Sequence, residues 1–531
     1  MERAAQNAKN PWRAMIFIGI SLLVISLDNT ILNVALPSIS IELGATASQL
    51  QWIVDAYVLV FAALLLTMGA VSDRIGRKRA LQFGLLWFGV FSLMAALSGS
   101  TTMLIVTRAL LGLGGATIMP STLSLITSMF DNPKERAQAI AIWAAIFGLG
   151  VGVGPVVGGW LLEHYEWNAV FLVNLPIVVL AVVGGQLTIE ESRDEHAPRP
   201  DIPGVVLSIT GLFSLVYGII EAGQSGWTEQ NVLIAFGAAA VLLTMFGIWE
   251  YRSPNAMLPL GFFRNMSFTG ANLALTLVVF GLFGSVFFFS QYFQSVQGYT
   301  ALEAGLRMFP QAIVLMFSAA MSARVAQVLG TKITVGVGIL IAAGGLFFMS
   351  QVLDVGTSYG IILLGMIILG IGMGMAMSPA TNSIMGSVPV RKAGIGSAMN
   401  DTTRQLGGAL GVAVLGTIAN NTYLTQITAL ESKLPPQIPG DLYKAVESSI
   451  QGAHIAAGMV PDPTIAQLIV NSANHAFTAG MNDGMLIGSA IMLLASLIAF
   501  AILPSEVRRS TEEEMSFGVR SDALRAPVAG D

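Results

Sequence analysis

The sequence predicts an all-α protein that is embedded in a lipid bilayer. Of its 531 residues, 54% are apolar and 11% are charged, whereas a soluble domain carries about 25% charged residues. Apolar stretches of about 20 residues, the length that a helix needs to cross a bilayer core of roughly 30 Å, recur along the whole chain. These stretches are expected to be helical, because lipid offers no hydrogen-bond partners to the backbone.

We count fourteen such stretches and therefore predict fourteen transmembrane helices. They begin near residues 14, 50, 80, 102, 136, 168, 203, 230, 268, 304, 332, 358, 394 and 480. If the helices alternate in direction, most of the 26 Lys and Arg residues fall on the side that holds both termini. Loops rich in Lys and Arg stay in the cytoplasm. The sequence thus predicts a multi-pass protein of the cytoplasmic (inner) membrane with both termini in the cytoplasm.

Composition argues against several classes of function. The chain has no cysteine and four histidines, and the histidines show no spacing typical of a metal site. A phosphate-binding loop of the form G-x-x-x-x-G-K-[ST] is absent from the sequence. The net charge of -5 argues against a nucleic-acid partner. We therefore expect no cofactor, no metal and no enzymatic activity, and we expect the chain to be a monomer.

Two short sequence echoes indicate an internal duplication. Residues 111–114 (LGLG) resemble residues 369–372 (LGIG), and residues 76–78 resemble residues 330–332 more faintly at a similar offset. Helices 1–6 would then correspond to helices 9–14, which leaves helices 7 and 8 as an insert. Parallel repeats of this kind form two bundles with a binding site between them near the middle of the membrane.

The predicted domain organisation follows from this duplication. The domains are an N-terminal six-helix bundle (1–188), a cytoplasmic linker (189–202), two inserted helices (203–250), a C-terminal six-helix bundle that includes an external loop at 421–477 (251–503) and a cytoplasmic tail (504–531). Within the external loop, short amphipathic helices are expected after Asp441 and Pro463.

Four local patterns, in order along the chain, resemble the major facilitator superfamily. They are LDNTILNVALP in helix 1 (27–37), DRIGRK after helix 2 (73–78), Arg108 with the glycines that follow it in helix 4, and the glycine-rich run of helix 5 (148–159). Together they are similar to the fourteen-helix drug:proton antiporters of the QacA and EmrB kind. The resemblance covers nearly the whole chain.

The resemblance implies a major facilitator fold and a definite activity. The protein would be a proton-coupled antiporter that exports hydrophobic, cationic drugs across the membrane by alternating access. Its partners would be those small molecules, protons and the lipid bilayer. Two alternatives remain open, namely an exporter of a lipid or an endogenous metabolite, and a non-transporting membrane sensor on the same fold.

Asp28 and Arg108 are the first two of three charged candidates for proton coupling in the first four helices, and Asp28 is also a candidate for substrate binding. Asp28 is expected about 13 Å below the outer end of helix 1, where a carboxylate is costly and usually functional. The alternative is a structural Asp held by Asn29 or Asn33, and Asn33 is itself a candidate for substrate contact. The resemblance assigns Arg108 to the proton relay, and the alternative for Arg108 is a structural tie to backbone carbonyls.

Helix 2 offers a second acid beside an aromatic ring. Asp55 is expected close to the outer end of helix 2, near enough to Asp28 for both carboxylates to share one cavity and to titrate as a pair. Trp52 lies one turn before Asp55, and an aromatic ring beside a carboxylate suits a lipophilic cation. The alternative is an interfacial Trp beside a solvated Asp. The resemblance associates an acid at the position of Asp55 with a broader range of cations. Asp55 is therefore a candidate for both proton coupling and substrate binding, and Trp52 is a candidate for substrate binding.

The C-terminal half carries its own polar candidates for substrate binding. They are Gln291 in predicted helix 9 and Asn400, Asp401 and Arg404 in predicted helix 13. Asp401 and Arg404 are three residues apart, so a structural pair that neutralises itself is the alternative to a substrate site.

Two groups of residues are predicted to act in gating. The first is the charged turn after helix 2, whose residues can pair with helix ends in one conformation only: Asp73, Arg74, Gly76, Arg77 and Lys78. The second is a helix 5 face built for close helix contact: Gly150, Gly154, Pro155 and Gly158. The alternatives are a simple positively charged anchor for the turn and passive packing for the glycines.

The predicted topology can be tested with single cysteines, because the chain has none of its own. Arg193→Cys in the linker should react with a membrane-impermeant maleimide only after the membrane is opened. Lys444→Cys in the external loop should react in intact cells. Labelling of the linker variant in intact cells would contradict the predicted orientation.

Overall fold

The computed structural model describes residues 11–130, 132–193, 200–253, 258, 260–388, 393–431 and 440–504. Helices and their connecting loops account for these residues, with no β-strand among them. Parts of the predicted linker and external loop, and the predicted tail from residue 505 onward, lie outside the described residues.

The described chain contains sixteen α-helices. They are α1 (Pro11–Leu43), α2 (Ala47–Ile75), α3 (Arg77–Ala96), α4 (Thr101–Met129), α5 (Pro133–His164), α6 (Ala169–Leu172), α7 (Asn174–Thr188), α8 (Ile202–Ser225), α9 (Gln230–Arg252), α10 (Met266–Gln291), α11 (Ala301–Val352), α12 (Tyr359–Ser387), α13 (Ala393–Glu431), α14 (Gly440–Ser448), α15 (Ile450–Met459) and α16 (Pro463–Ile502).

Twelve helical segments of the described chain are long and apolar enough to cross a bilayer. Among them, α6 and α7 together form one segment, Ala169–Thr188, and the 52-residue α11 counts once. The 39-residue α13 is not in this set. The all-α membrane class is therefore confirmed, while the number fourteen stays a prediction.

Helix α11 consists of two arms that fold back on each other at Gly330. The backbone of Gly330 has φ 81° and ψ 159°, which interrupts the helix. Both arms contact the same part of α12, because Gly370 packs on Gln311 of the first arm and Gly372 packs on Ala342 of the second. At about 1.5 Å per residue, a straight helix of this length would be more than twice as long as a bilayer core is thick.

The described chain begins and ends on the same face of the helical assembly. Helices α1 and α10 run parallel, because successive residues of α1, Asn33 and Val34, accept hydrogen bonds from Ser290 and then Gln294. The end of α16 returns to the start of α10, where Leu503 packs on Gly270. We call the face at which α1 begins the terminal face and the opposite one the distal face.

Several helices extend further towards the distal face than the sequence suggested. Helix α1 continues past Pro37 to Leu43, and α13 continues to Glu431. Pro463 does not begin a short amphipathic helix, because it starts the 40-residue α16. The predicted external loop at 421–477 thus includes the end of α13 and the start of α16, and its external position stays a prediction. Only the stretch between Glu431 and Pro463, which includes α14 and α15, lies outside the long helices.

The two helices of the predicted insert pack against each other and then against two other helices. Helices α8 and α9 contact one another, and α8 also contacts α2 and α13. Thr417 of α13 donates to the carbonyl of Ile219, and Asn420 donates to the carbonyl of Gly223. The inserted pair therefore covers the seam at which α2 meets α13.

Glycines allow α5 to approach α1 on one side and α11 on the other. A Cβ atom added at Gly150 would fall on the Ser26 hydroxyl, and one added at Gly154 would fall on the Thr30 hydroxyl. On the other side, Gly159 lies so close to α11 that a Cβ atom would be 2.5 Å from Leu302. Helix α5 therefore links the first helices of the chain to α11.

Contacts between the helices before the insert and those after it cluster towards the distal face. Gln51 of α2 packs on Gly416 of α13, and Ser40 of α1 lies 3.4 Å from Ser449 of the loop before α15. From Ile313 to Gly330, all described residues of α11 except Ser322 are at least partly exposed. The structure is thus closed at the distal face.

The glycine face of α5 yields a steric prediction. Gly154→Leu should reach the membrane but lose transport, because its side chain cannot fit against Thr30 while α1 and α5 stay in contact. Gly148→Leu is the matched control, since nothing lies within 4 Å of a Cβ atom at Gly148. Efflux is compared at equal amounts of purified, monodisperse protein. Unchanged efflux by the Gly154 variant would show that this face is passive.

Candidate functional site

The centre of the first helical set is a buried ion pair between α1 and α4. Asp28 is fully buried, and its Oδ2 atom accepts a hydrogen bond of 2.6 Å from Nη1 of Arg108. Arg108 is 1% exposed, and its Nε atom donates to the carbonyl of Ile53 on α2 at 3.1 Å. Arg108 therefore has both a carboxylate and a carbonyl partner, the two kinds that a buried guanidinium requires.

Residues that the sequence analysis did not single out complete the surroundings of this pair. Asn174 of α7 donates to Oδ1 of Asp28 at 3.2 Å and to Ser92 of α3 at 3.0 Å. The Tyr57 ring lies under the guanidinium, with Arg108 Cζ 4.3 Å from the ring centroid. The pair thus joins α1, α2, α4 and α7. The sequence could not indicate that Asn174 binds Asp28, because the two residues are 146 positions apart.

The expected partners of Asp28 on its own helix bind elsewhere. Asn29 donates its amide to the carbonyl of Ile25, and Asn33 donates to the carbonyl of Asn29. The alternative in which Asn29 or Asn33 holds Asp28 is therefore wrong. The backbone carbonyl of Asn33 accepts from Ser290 of α10, so this residue belongs to the contact between α1 and α10.

Both acids lie further from the distal ends of their helices than the sequence suggested. Asp28 is 15 residues from the end of α1 at Leu43, which corresponds to about 22 Å along the helix axis. Asp55 is eight residues from the start of α2 at Ala47, about 12 Å along the axis, and it is fully buried. The alternative of a solvated Asp55 is wrong. The difference arises because α1 and α2 extend beyond their most apolar segments.

Asp55 differs from Asp28 because both of its carboxylate oxygens lack a hydrogen-bond partner among the described residues. It shares one face of α2 with Gln51, one turn away, and Gln51 packs on Gly416 of α13. An ionised carboxylate without a partner is costly in such a place, and a proton or a cationic group would remove that cost. In the described residues, Asp55 and Asp28 share no hydrogen bond.

Trp52 packs against the inserted helices. Its ring is stacked on Phe213 of α8 with centroids 5.3 Å apart, and it lies 6.4 Å from the ring of Tyr217. One aromatic face of Trp52 is therefore already occupied by the protein. The sequence could not indicate this contact, because it depends on where the insert docks.

Gln291 lies in the distal closure. It lines a small cavity of about 30 Å³ together with Gln51, Asn420, Tyr423 and Ser449, which is room for one or two water molecules. Its Oε1 atom accepts a long hydrogen bond of 3.4 Å from Gln451 of α15. The structure thus separates Gln291 from Asp401 and Arg404, with which the sequence analysis grouped it.

Asp401 and Arg404 of α13 do not form the expected ion pair. No salt bridge within 4.0 Å joins them in the part of the chain that the structure describes. Asp401 accepts only a 3.4 Å hydrogen bond from Asn400. Arg404 points towards α5, with its Cζ atom 5.8 Å from the centroid of the Phe147 ring. In this conformation the two side chains are not hydrogen-bonded to each other, and the choice between a structural pair and a substrate site stays open.

The predicted gating turn is held by a carboxylate from the linker. Gly76 has φ 115° and ψ 127°, and a Cβ atom there would lie 2.7 Å from the Glu191 carboxylate. Glu191 accepts from the backbone amides of Lys78 and Arg79 at the start of α3, where a helix favours negative charge. Arg77 pairs with Asp73 at 2.7 Å.

This arrangement ties the turn to the linker through backbone amides, and a role of the charged side chains in gating stays a prediction. Arg74 is exposed in the same turn. Glu191 was not among the predicted gating residues, because a partner that lies more than 100 residues away cannot be read from local spacing.

Comparisons with known proteins agree with this architecture. The Major Facilitator Superfamily matches residues 18–412. The multidrug efflux pump LfrA of Mycolicibacterium smegmatis is 37% identical over 487 residues, which cover 92% of this chain and 95% of that protein. The methyl viologen resistance protein SmvA of Salmonella typhimurium is 31% identical over 504 residues, covering 94% of this chain and 99% of that protein.

A solved structure supports the fold independently. A bacterial homologue of the human lysosomal transporter Spinster, in an inward-facing and unoccupied conformation, matches with a TM-score of 0.63 at 18% identity. The match covers 93% of this chain and 99% of that one. The efflux relatives do not favour a sensor or a lipid exporter. The chain therefore belongs to the major facilitator superfamily, as a drug efflux transporter of the bacterial membrane and not as an enzyme.

Proposed function

We propose that this transporter exchanges external protons for hydrophobic cationic drugs, with both termini in the cytoplasm. The observation that carries the proposal is the fully buried Asp28–Arg108 pair; Arg108 also binds the Ile53 carbonyl of α2, the helix that carries the unpartnered carboxylate of Asp55. Asp28, Asp55 and Arg108 serve proton coupling. One relative, SmvA, is named for resistance to methyl viologen, a dication, which supports a cationic substrate.

Coupling follows from charge competition around Arg108. When Asp28 takes up a proton, its carboxylate no longer neutralises Arg108, and the buried guanidinium repels a cation nearby. When Asp28 loses the proton, the pair reforms and a cation is tolerated again. Two unit charges 4 Å apart interact by about 4 kcal/mol at an effective dielectric of about 20. A proton and a cationic drug therefore exclude each other, which antiport requires.

Alternating access uses the two helical sets as rocking bodies. With the termini in the cytoplasm, the distal closure lies outside and this conformation faces inward. The close contact of Gly159 of α5 with α11 then forms part of the moving interface between the two bodies, while the contact of α5 with α1 lies within the first body. The turn at Gly76, tied to Glu191, fixes the cytoplasmic end of α3 to the linker in this conformation.

Arg108→Lys tests the relay. Lysine keeps the charge but loses the planar fork that binds Asp28 and the Ile53 carbonyl together. We expect loss of uphill, proton-driven accumulation of ethidium in inside-out vesicles, with folded protein retained. Full accumulation by this variant would reduce Arg108 to a structural residue.

The variants Asp28→Asn and Asp55→Asn distinguish proton coupling from recognition of the charge on the substrate. We expect Asp28→Asn to abolish export of every substrate against a gradient. Asp55→Asn should weaken a dication, methyl viologen, by about tenfold, since a loss of about 1.4 kcal/mol suffices, and should weaken monocationic ethidium less.

Both variants are assayed in proteoliposomes with an imposed pH gradient, beside Asp483→Asn at an exposed distal position as the control. Equal losses for both substrates in Asp55→Asn would contradict its role. Export of either substrate against a gradient by Asp28→Asn would contradict the proposed coupling.

A further inference from the structure

The clearest unexplained charge in the described chain is Arg404 on α13. It lies 11 residues after Ala393, about 16 Å along the helix from the terminal face. Its guanidinium reaches across to α5, where Phe147 stacks with Trp143 at 6.4 Å and an interplanar angle of 12°. Arg404 therefore lies between the two helical sets, beside a flat aromatic surface.

Arg404 has no acceptor for its donors within the described residues. Two other arginines of the membrane helices have carboxylate partners, since Arg108 binds Asp28, and Arg307 lies 3.8 Å from Glu303 and over the Tyr299 ring. A guanidinium carries five N–H donors and stays charged. Leaving these donors unmet in a partly buried place is costly. The cost would be recovered by an acceptor group that enters with a ligand.

Asp401 carries the opposite charge one turn away, but it forms no salt bridge with Arg404. The two side chains form no salt bridge, and Asp401 is 7% exposed with one long hydrogen bond to Asn400. The local net charge is zero, so a ligand with a large net charge gains from one residue and loses to the other. A ligand that carries both a cationic nitrogen and a single anionic group gains from both.

We propose that Asp401, Arg404 and the Trp143–Phe147 surface form a bipolar subsite for planar zwitterionic amphiphiles, with Arg404 binding a carboxylate. The face of a guanidinium near an aromatic ring leaves its N–H edge free, and that edge matches the two oxygens of a carboxylate. This subsite extends the substrate range beyond simple cations. The inference rests on the proposed export function, because it assigns a part of the same substrate site.

A matched pair of dyes isolates the carboxylate. Rhodamine 110 carries a free carboxylate, and rhodamine 123 is its methyl ester with the same cationic ring system. Proton-driven uptake of each dye is measured in inside-out vesicles for the wild type, Arg404→Gln and Arg404→Lys. Arg324→Gln, at an exposed position of α11, is the control for loss of a positive charge.

We expect Arg404→Gln to raise the half-saturating concentration of rhodamine 110 by about tenfold or more, while that of rhodamine 123 changes by less than about twofold. Arg404→Lys should be intermediate for rhodamine 110, because lysine keeps the charge but loses the fork. Transport of rhodamine 123 by the same variants shows that they are folded.

The outcomes separate this inference from the proposed function. Equal effects on both dyes, no effect on either, or wild-type protein that transports only the ester would overturn the subsite. Failure of the wild type to accumulate either dye or ethidium under a pH gradient would instead overturn proton-driven export.

Discussion

The organisation of the first seven helices depends on the need to partner every charge that is removed from both water and lipid headgroups. Asp28 and Arg108 satisfy this need for each other, and the contacts with Ile53 and Asn174 extend the network to α2 and α7. Removing one partner of a buried pair costs about 3–5 kcal/mol in soluble proteins. The same pair therefore holds α1, α2, α4 and α7 together.

Glycine gives the assembly a second kind of constraint. Along α5, Gly150, Gly154 and Gly158 bring the backbone against α1, while Gly159 brings it against α11. Without side chains between them, these helices are held by close packing and not by specific bonds, which lets surfaces slide or tilt at little energetic cost. Of these contacts, the one between α5 and α11 joins the two helical sets, and packing of this kind is compatible with rigid-body rocking of one set against the other.

The two helical sets differ in whether a buried arginine forms a salt bridge with a nearby aspartate. In the set before the insert, the arginine is paired and fully buried, and the unpartnered group is Asp55. In the set after the insert, Asp401 and Arg404 lie one turn apart and remain unpaired, facing the aromatic surface of α5. The first set thus neutralises its most deeply buried arginine, whereas the second contains two opposite charges that form no salt bridge with each other.

The sequence by itself determined the membrane class, the helical segments, the family and the residues that carry charge into the bilayer. It could do so because the bilayer imposes a constraint along one dimension, namely about 20 apolar residues per crossing, so that every charged residue inside a span stands out. The same reasoning made three helices too short. Helices α1 and α13 end later, and α16 begins earlier, than their apolar cores alone indicate.

Only the tertiary structure decided which groups meet. Asn174 as a partner of Asp28, Phe213 under Trp52, Glu191 at the start of α3 and the separation of Asp401 from Arg404 all depend on how the helices are rotated and tilted. Helical periodicity fixes which residues share a face, but it leaves open which other helix that face meets. The partners lie on helices far apart in the chain, so their pairing is set by packing in three dimensions.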